Sequence, residues 1–302
     1  TSKVVCLIAE LQPVSAAEAL KGRSHKARII GLGHQRARGL KGGVVVDLES
    51  AEQSIRLAID SAERMARVEV RSVIVNMTGG RLKSEAYHAE ISLRGQGVAD
   101  ADVRRVFEAM SYTGTEPGRS VLHSLPTGFS IDETRHIRDP HGMIGERLGV
   151  DMHILTSDES AIRNLMLAVE RCHVGVEAVV ASPYASGLSV LVDDEAEMGV
   201  AVVDLGGGTT SVGVFSNGVL VHADAVAVGG NHITMDIARG LSTGINHAER
   251  LKTLYGSTLA SPSDDRETVA VASVDEAQGD HVYHIPKSQL VRIIRTRVEE
   301  IL

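Results

Sequence analysis

Tryptophan is absent from this 302-residue chain, and aromatic residues make up only 3% of it. The core therefore has to rest on Val, Ile, Leu and Ala. Positive charge is also scarce: 31 Lys and Arg against 39 Asp and Glu leave a net charge of −8. That balance argues against a nucleic-acid groove, which needs a basic face, so no nucleic-acid partner is expected. Two cysteines, Cys6 and Cys172, lie far apart and in no metal-ligand spacing; they read as reduced cytosolic thiols. No apolar run is long enough to cross a bilayer and no signal peptide opens the chain, so it reads as cytoplasmic. It begins at Thr1 without a methionine and ends at Leu302 inside a helical pattern, so both ends read as cut. What remains is an ordinary globular composition, 43% hydrophobic and 23% charged, and a length sufficient for two lobes.

Strand and helix patterns alternate along the chain, which places it in the α/β class. "KVVCLIAEL" reads as a buried strand, Val4 to Ala9, and "KARIIGLGHQRARGLKGG" as a strand followed by a Gly-rich loop. Ile55, Ala58, Ile59, Ala62, Met65 and Ala66 recur at helical spacing behind a capping box of Ser50 and Gln53. Residues 72–76 and the run from Leu82 read as a hairpin joined at Gly79-Gly80. "ADADVRRVFEAM" predicts a short amphipathic helix, "VLHSLPTGFSID" a strand and turn, and Asp151 to Leu155 a returning strand. A second capping box, Thr156 with Glu159, precedes a helix with Ile162, Leu165, Met166 and Val169 on one face. "DDEAEMG" reads as a solvated acidic turn and "SPSDDRE" as a solvated loop. Helices follow at "GGNHITMDIARGL", "INHAERLKTLYG" and "KSQLVRIIRTRVEEIL", with strands "TVAVASV" and "HVYHI" between the last two.

The stretch that carries chemistry is "GVAVVDLGGGTTSVGVFSNGVLV". Two valine-rich strands flank Asp204, Gly206, Gly207, Gly208, Thr209 and Thr210. Glycines let a backbone come close to a ligand, and successive N–H groups form a nest for phosphate oxygens. Thr209 and Thr210 offer hydroxyl donors at its rim. Asp204 cannot bind phosphate itself, being an acceptor of the same sign, so it calls for a hydrated Mg²⁺ between them. The plain alternative is a hairpin turn. The loop is neither a Walker loop, since no Gly-Lys-Ser/Thr follows, nor a dinucleotide fingerprint, since a strand follows it. The thirteen histidines, His222, His232 and His247 among them, show no regular metal spacing.

Strand–Asp-Leu-Gly-Gly-Gly-Thr-Thr–strand resembles the second phosphate loop of the actin-like ATPases. Within that superfamily, "DPHGMIGERLGVDMHIL", "GGVVVDLESAEQSIRLAIDSAERMA" and the final "RTRVEEIL", with Thr296 in place of a proline, resemble the FtsA family of bacterial cell-division proteins. The resemblance spans the whole chain and implies an α/β actin-like fold of two related lobes with an inserted subdomain of the SHS2 type. It places the first lobe core at 1–68 and 150–199, and the insert at 69–149. The second lobe core falls at 200–246 and 286–302, and that lobe's outer subdomain at 247–285.

The same resemblance implies ATP and Mg²⁺ as ligands. Thr1, Ser2 and Lys3 match the tail of the family's first phosphate loop, and Gly229, Gly230 and Asn231 open the helix beside the nucleotide. Glu249 and Lys252 match residues that reach the ribose and adenine, although on spacing alone they read as a surface i,i+3 pair. Ser182, before Pro183, stands where DnaK-type ATPases carry an acid, which fits weak or no ATPase activity and no catalytic residue. The implied partners are the FtsZ tail, other copies in filaments and later division proteins through the insert. The inner membrane is reached through a C-terminal helix that lies past Leu302 in the family. The tail would meet 247–285 and the helix after it, with Arg297 as the contact; a solvated surface arginine is the alternative. The implied location is the cytoplasmic face of the inner membrane at the division site. A sugar-kinase-like phosphotransferase would need a substrate-facing acid, and none stands out. A type IV pilus protein of the PilM kind should lack "HGMIGERL".

Overall fold

The computed structural model describes residues 2–14, 25–93, 95, 97–110, 116–273 and 282–302. They fall into two compact units. One comprises Lys3–Asp204 and Ser211–Val226; the other comprises Ser2, Leu205–Thr210 and Ala227–Leu302.

The first unit opens with an antiparallel pair, β1 (Lys3–Pro13) and β2 (His25–Arg36). β1 is not the buried strand its apolar run suggests. Its residues alternate between half-buried and exposed, because Val4 and Cys6 face a helix while Val5 and Leu7 face away. Gly31 and Gly33 lie within β2, so the Gly-rich loop expected after the strand begins only at Ala37. After β3 (Leu40–Lys41) and β4 (Val44–Val45) comes that helix, α1 (Leu48–Ala66). Ala51, Ile55, Ala58, Ile59 and Ala62 form its buried stripe. Its cap is Asp47, whose carboxylate accepts from the Ser50 N–H at 3.3 Å, and not Ser50, which lies inside the helix. The helix lies so close to β2 that a Cβ on Gly33 would sit 1.7 Å from the Ala58 carbonyl oxygen.

β5 (Ser72–Met77) and β6 (Lys83–Ser92) are not a hairpin. β5 pairs in parallel with β10 (Gly175–Ala181), far along the chain. The intervening segment carries α2 (Asp100–Met110), β7 (Arg119–Ile131), β8 (Thr134–Ile137), β9 (Arg147–Asp158) and α3 (Glu159–Glu170). β6, β9, β7 and β8 form one sheet in that order, with antiparallel neighbours. α2 covers it through Val106 and Phe107, whose ring meets Phe129 edge-on at 5.8 Å. Thr156 belongs to β9, and the N-cap of α3 is Asp158, without a side-chain capping bond.

α4 (Ser182–Val190) and α5 (Asp193–Met198) follow, so the acidic stretch is a short helix and not a turn. Carboxylates at Asp193, Asp194 and Glu195 suit the positive end of its dipole. A three-stranded sheet of β11 (Val200–Leu205), β12 (Thr210–Ser216) and β13 (Val219–Val226) closes the unit. The resemblance assigns these strands to the second lobe. Here Phe215, Leu220 and Ala223 share a core with Leu82, Leu155, Ala181 and Leu191, which groups them with the first unit.

The second unit holds α6 (Gly230–Gly240), α7 (Ile245–Tyr255), the antiparallel pair β14 (Thr268–Ala272) and β15 (Val282–Pro286), and α8 (Lys287–Ile301). Ile237, Leu241, Leu251, Val271, Ile285, Leu290 and Ile294 form its core. The loop before β14 is not wholly solvated. Asp264 is buried, accepts from the Ser261 N–H at 2.7 Å and pairs with Lys287 at 3.2 Å. Those partners hold its carboxyl below the usual range. Among the described residues no helix is long and apolar enough to cross a membrane.

Two expected outcomes follow from this packing. Gly33→Ala drives a methyl into the α1 backbone and should cost about 3 kcal/mol in denaturant unfolding. The second concerns His123 and His153, whose imidazoles burial pushes down in pKa. His153 is bonded to Ser84 on Nε2 and has no partner on Nδ1. The unfolded chain therefore takes up protons first as pH falls. Stability is complete above the unfolded value of 6.5 and declines as pH drops through it toward the native values. His153→Gln should reduce the loss measured between pH 7.5 and pH 5.5.

Candidate nucleotide site

The glycine loop and the start of α6 meet backbone to backbone in the second unit. The Gly230 N–H donates to the Gly206 carbonyl at 3.0 Å, and the Asn231 N–H to the Gly207 carbonyl at 2.7 Å. Gly229 makes this approach possible: a Cβ there would lie 2.4 Å from Gly206 O and 3.0 Å from Gly207 C. On the other side, a Cβ on Gly207 would lie 2.7 Å from Ser2 Oγ. Within the loop the Gly206 N–H bonds the Thr209 carbonyl at 2.9 Å. Gly208, Thr209 and Thr210 are buried. The Thr210 hydroxyl is not a free donor at the rim, because it donates to Val228 O at 2.8 Å and fastens the loop.

Glu249 and Lys252 do pair, at 2.7 Å, but not as an isolated surface couple. The Lys252 ammonium also reaches Gly230 O at 3.1 Å and Thr234 Oγ1 at 2.8 Å, and Glu249 Oε2 lies 2.5 Å from the same hydroxyl. Burial opposes charge on Glu249, but hydrogen bonds from Lys252 and Thr234 outweigh it and hold its carboxyl below the usual range. The pair thus anchors α7 to the first turn of α6, one residue from Gly229. Thr234 was missed in the sequence; its one signal is its place four residues after Gly230, where a threonine can bond the preceding turn.

Other expected residues stand apart. Thr1 lies outside the described residues. Lys3 is exposed at the head of β1, in register with Arg36. Asp204, half-buried at the end of β11, accepts from Ser186 Oγ of α4 at 2.9 Å. Arg297 is half-buried and already paired. Its guanidinium pairs with Asp236 and with Glu300, each at 2.5 Å, and these carboxylates hold it firmly charged. His232 accepts from the Gly229 N–H and His247 from the Ala272 N–H, so both serve the backbone. No cluster of metal-ligating side chains occurs among the described residues. An indirectly held Mg²⁺ needs none, since it keeps its own waters. The residues fit such a group in kind: glycines at 207 and 229 where a Cβ would meet neighbouring atoms, and a carboxylate, Asp204, two residues before Gly206 in the sequence.

Comparison with known proteins places the chain in a family. A family model described as the SHS2 domain inserted in FtsA matches residues 79–156, and one described as cell division protein FtsA matches residues 201–300. The cell division protein FtsA of Rhizobium meliloti (strain 1021) is 50% identical over 302 residues, covering 100% of this chain and 68% of that protein. The chain belongs to the FtsA family. The Escherichia coli (strain K12) FtsA is 32% identical over the same span, 69% of its length. Among solved structures, the PilM–PilN type IV pilus biogenesis complex superposes with a TM-score of 0.57 at 15% identity. The match covers 84% of this chain and 67% of that one, a likeness of fold. The FtsA-type actin-like α/β fold, with its SHS2 insert, stands as the sequence led one to expect.

Gly229→Ala tests the backbone contact in this FtsA family member. The methyl meets two carbonyl-bearing segments that cannot swing aside, and the variant should lose about 2–3 kcal/mol in equilibrium unfolding. Amide exchange should quicken at Gly230 and Asn231, the two donors of the contact.

Proposed function

We propose that this chain is the body of a cell-division adaptor that holds ATP as a structural ligand and binds the FtsZ tail. The observation that carries the nucleotide part is the back-to-back packing of Gly206–Gly207 on Gly229–Asn231, locked by Thr234, Glu249 and Lys252. This packing spends the Gly206, Gly229, Gly230 and Asn231 amides on internal acceptors, so the loop amides left for phosphate would be those of Gly207, Gly208 and Thr209. Ser2, Lys3 and the loop Gly206–Thr210 would hold phosphates. Asp204 would hold Mg²⁺ through water, and Glu249 and Lys252, held where they are on Thr234 and Gly230, would line the ribose and adenine side. Magnesium would supply charge neutralisation between Asp204 and the phosphates.

Turnover is expected to be slow or absent. Ser182 is buried, and its oxygen accepts from Asn76 Nδ2 at 3.1 Å and Thr78 Oγ1 at 2.6 Å. A neutral hydroxyl engaged in this way activates no water at neutral pH. The adaptor reading rests on family membership. FtsA-type proteins link FtsZ to the inner membrane at the division site, form filaments and recruit later division proteins through the insert. In this reading 247–285 with α8 is the FtsZ-facing part.

The test is titration of a labelled FtsZ C-terminal peptide onto the chain. Binding is expected, and Arg297→Glu should weaken it. That reversal alone also sets a third carboxylate beside Asp236 and Glu300. The exchange Asp236→Arg with Arg297→Glu rebuilds the internal pair. Weak peptide binding by the restabilised exchange makes Arg297 a contact; recovered binding makes it a strut of α6 and α8. No binding by the folded wild type, or substrate-dependent release of ADP, would overturn the adaptor reading.

A further inference from the structure

The face of the β11–β12 hairpin that packs on α4 holds a polar group with nothing to satisfy it. Only Gly206–Thr209 join the strands, too short a link for a parallel crossover, so they run antiparallel. Counting back from the Gly206–Thr209 hydrogen bond sets Asp204 opposite Ser211, Val202 opposite Gly213 and Val200 opposite Phe215. Opposed residues share a face. Val200, Val202 and Phe215 accordingly sit in one core cluster. That face meets α4: a Cβ on Gly213 would lie 2.9 Å from Pro183 O, and one on Gly187 2.1 Å from Phe215 Cζ. At the loop end of the same face, Ser186 Oγ donates to Asp204 Oδ2 at 2.9 Å. Ser211 is 2% exposed, and its hydroxyl has no partner.

We propose that Ser186 and Ser211 are positioning residues for a magnesium-bound nucleotide, an inference that rests on the nucleotide reading above. Ser186 occupies one carboxylate oxygen of Asp204 and fixes its plane, which leaves Oδ1 for a water of the cation's shell. Ser211, across the hairpin from Asp204, supplies a second oxygen to that shell. Waters on Mg²⁺ are strong donors and need acceptors, and the cation keeps several of them. A hydroxyl buried without a partner costs free energy in the empty protein, and the hydrated cation removes that cost on binding. The two serines therefore act on the magnesium-dependent part of nucleotide affinity and leave the rest alone.

The experiment measures affinity for a fluorescent ATP analogue in excess Mg²⁺ and in EDTA, together with the melting temperature of the empty protein. Ser186→Ala and Ser211→Ala are each expected to shrink the magnesium-dependent gain about fivefold while affinity in EDTA stays unchanged. Ser186→Thr, which keeps the hydroxyl, should restore the gain. Ser211→Ala should also raise the melting temperature without ligand, since it deletes an unsatisfied group. A merely structural serine would lower melting temperature and both affinities together, and that result overturns the proposal. So does a magnesium gain that neither alanine changes, which would mark Ser211 as holding a structural water only. A wild type that binds the analogue equally in Mg²⁺ and EDTA overturns this inference while the nucleotide reading stands. A folded wild type that binds no analogue overturns both.

Discussion

Two backbone hydrogen bonds, Gly230 N–H to Gly206 O and Asn231 N–H to Gly207 O, set the geometry on which the candidate site depends. They bring a loop and a helix start together without side chains between them, which only glycine at 229 allows. Everything nearby is arranged around that contact. Thr210 ties the loop to Val228, His232 receives the Gly229 amide, and Lys252 reaches back to Gly230 O. The result is a cradle whose polar backbone is already ordered. A ligand that binds there need not supply the ordering free energy of the loop.

Three cations of the second unit are spent internally. Arg297 is divided between Asp236 and Glu300, Lys287 between Asp264 and Glu267, and Lys252 between Glu249 and Thr234. Each joins elements distant in sequence or turns of neighbouring helices. The partly exposed pairs are individually weak, but Asp264 is buried, so removal of Lys287 would strand a desolvated carboxylate. Under the proposed function, an acidic peptide arriving at α8 would meet an arginine already paired. Any affinity it gains from Arg297 is the difference between two similar ion pairs, which limits the contribution of that residue and raises the weight of apolar contacts.

The sequence made some parts legible and hid others for physical reasons. The helices at 48–66, 230–240, 245–255 and 287–301 were readable because each buries one stripe at helical spacing. The link between the strands at 200–205 and 210–216 was readable because glycines sit between two valine-rich runs, a pattern that a hairpin turn satisfies whatever ligand the loop takes. The hairpin expected at Gly79-Gly80 failed because a Gly-Gly turn looks the same whether the following strand pairs backward or leaves for another sheet. Only the partner β10, about a hundred residues away, decides it. The capping boxes at Ser50 and Thr156 failed because a Ser or Thr three residues before Glu or Gln also occurs inside a helix or at the end of a strand. The partners of Asp204 and Arg297 were invisible for a related reason. Ser186 and Asp236 lie 18 and 61 residues away and have no pattern that marks them.

The same long-range accounting bears on why a nucleotide would be held and not consumed. A residue that activates water needs a free lone pair and a proton affinity near neutrality. Ser182 has neither. Its oxygen takes hydrogen bonds from Asn76 and Thr78, and it is buried at the first turn of α4. These donors come from β5 and the residues just after it, the strand that pairs with β10, so the sheet itself fixes the hydroxyl in place. Installing a carboxylate there would require two donors to turn toward a charge in a site closed to solvent. The stable solution for this backbone is a neutral serine whose oxygen accepts both bonds. That choice agrees with the proposal of a site that would hold a nucleotide and not consume it.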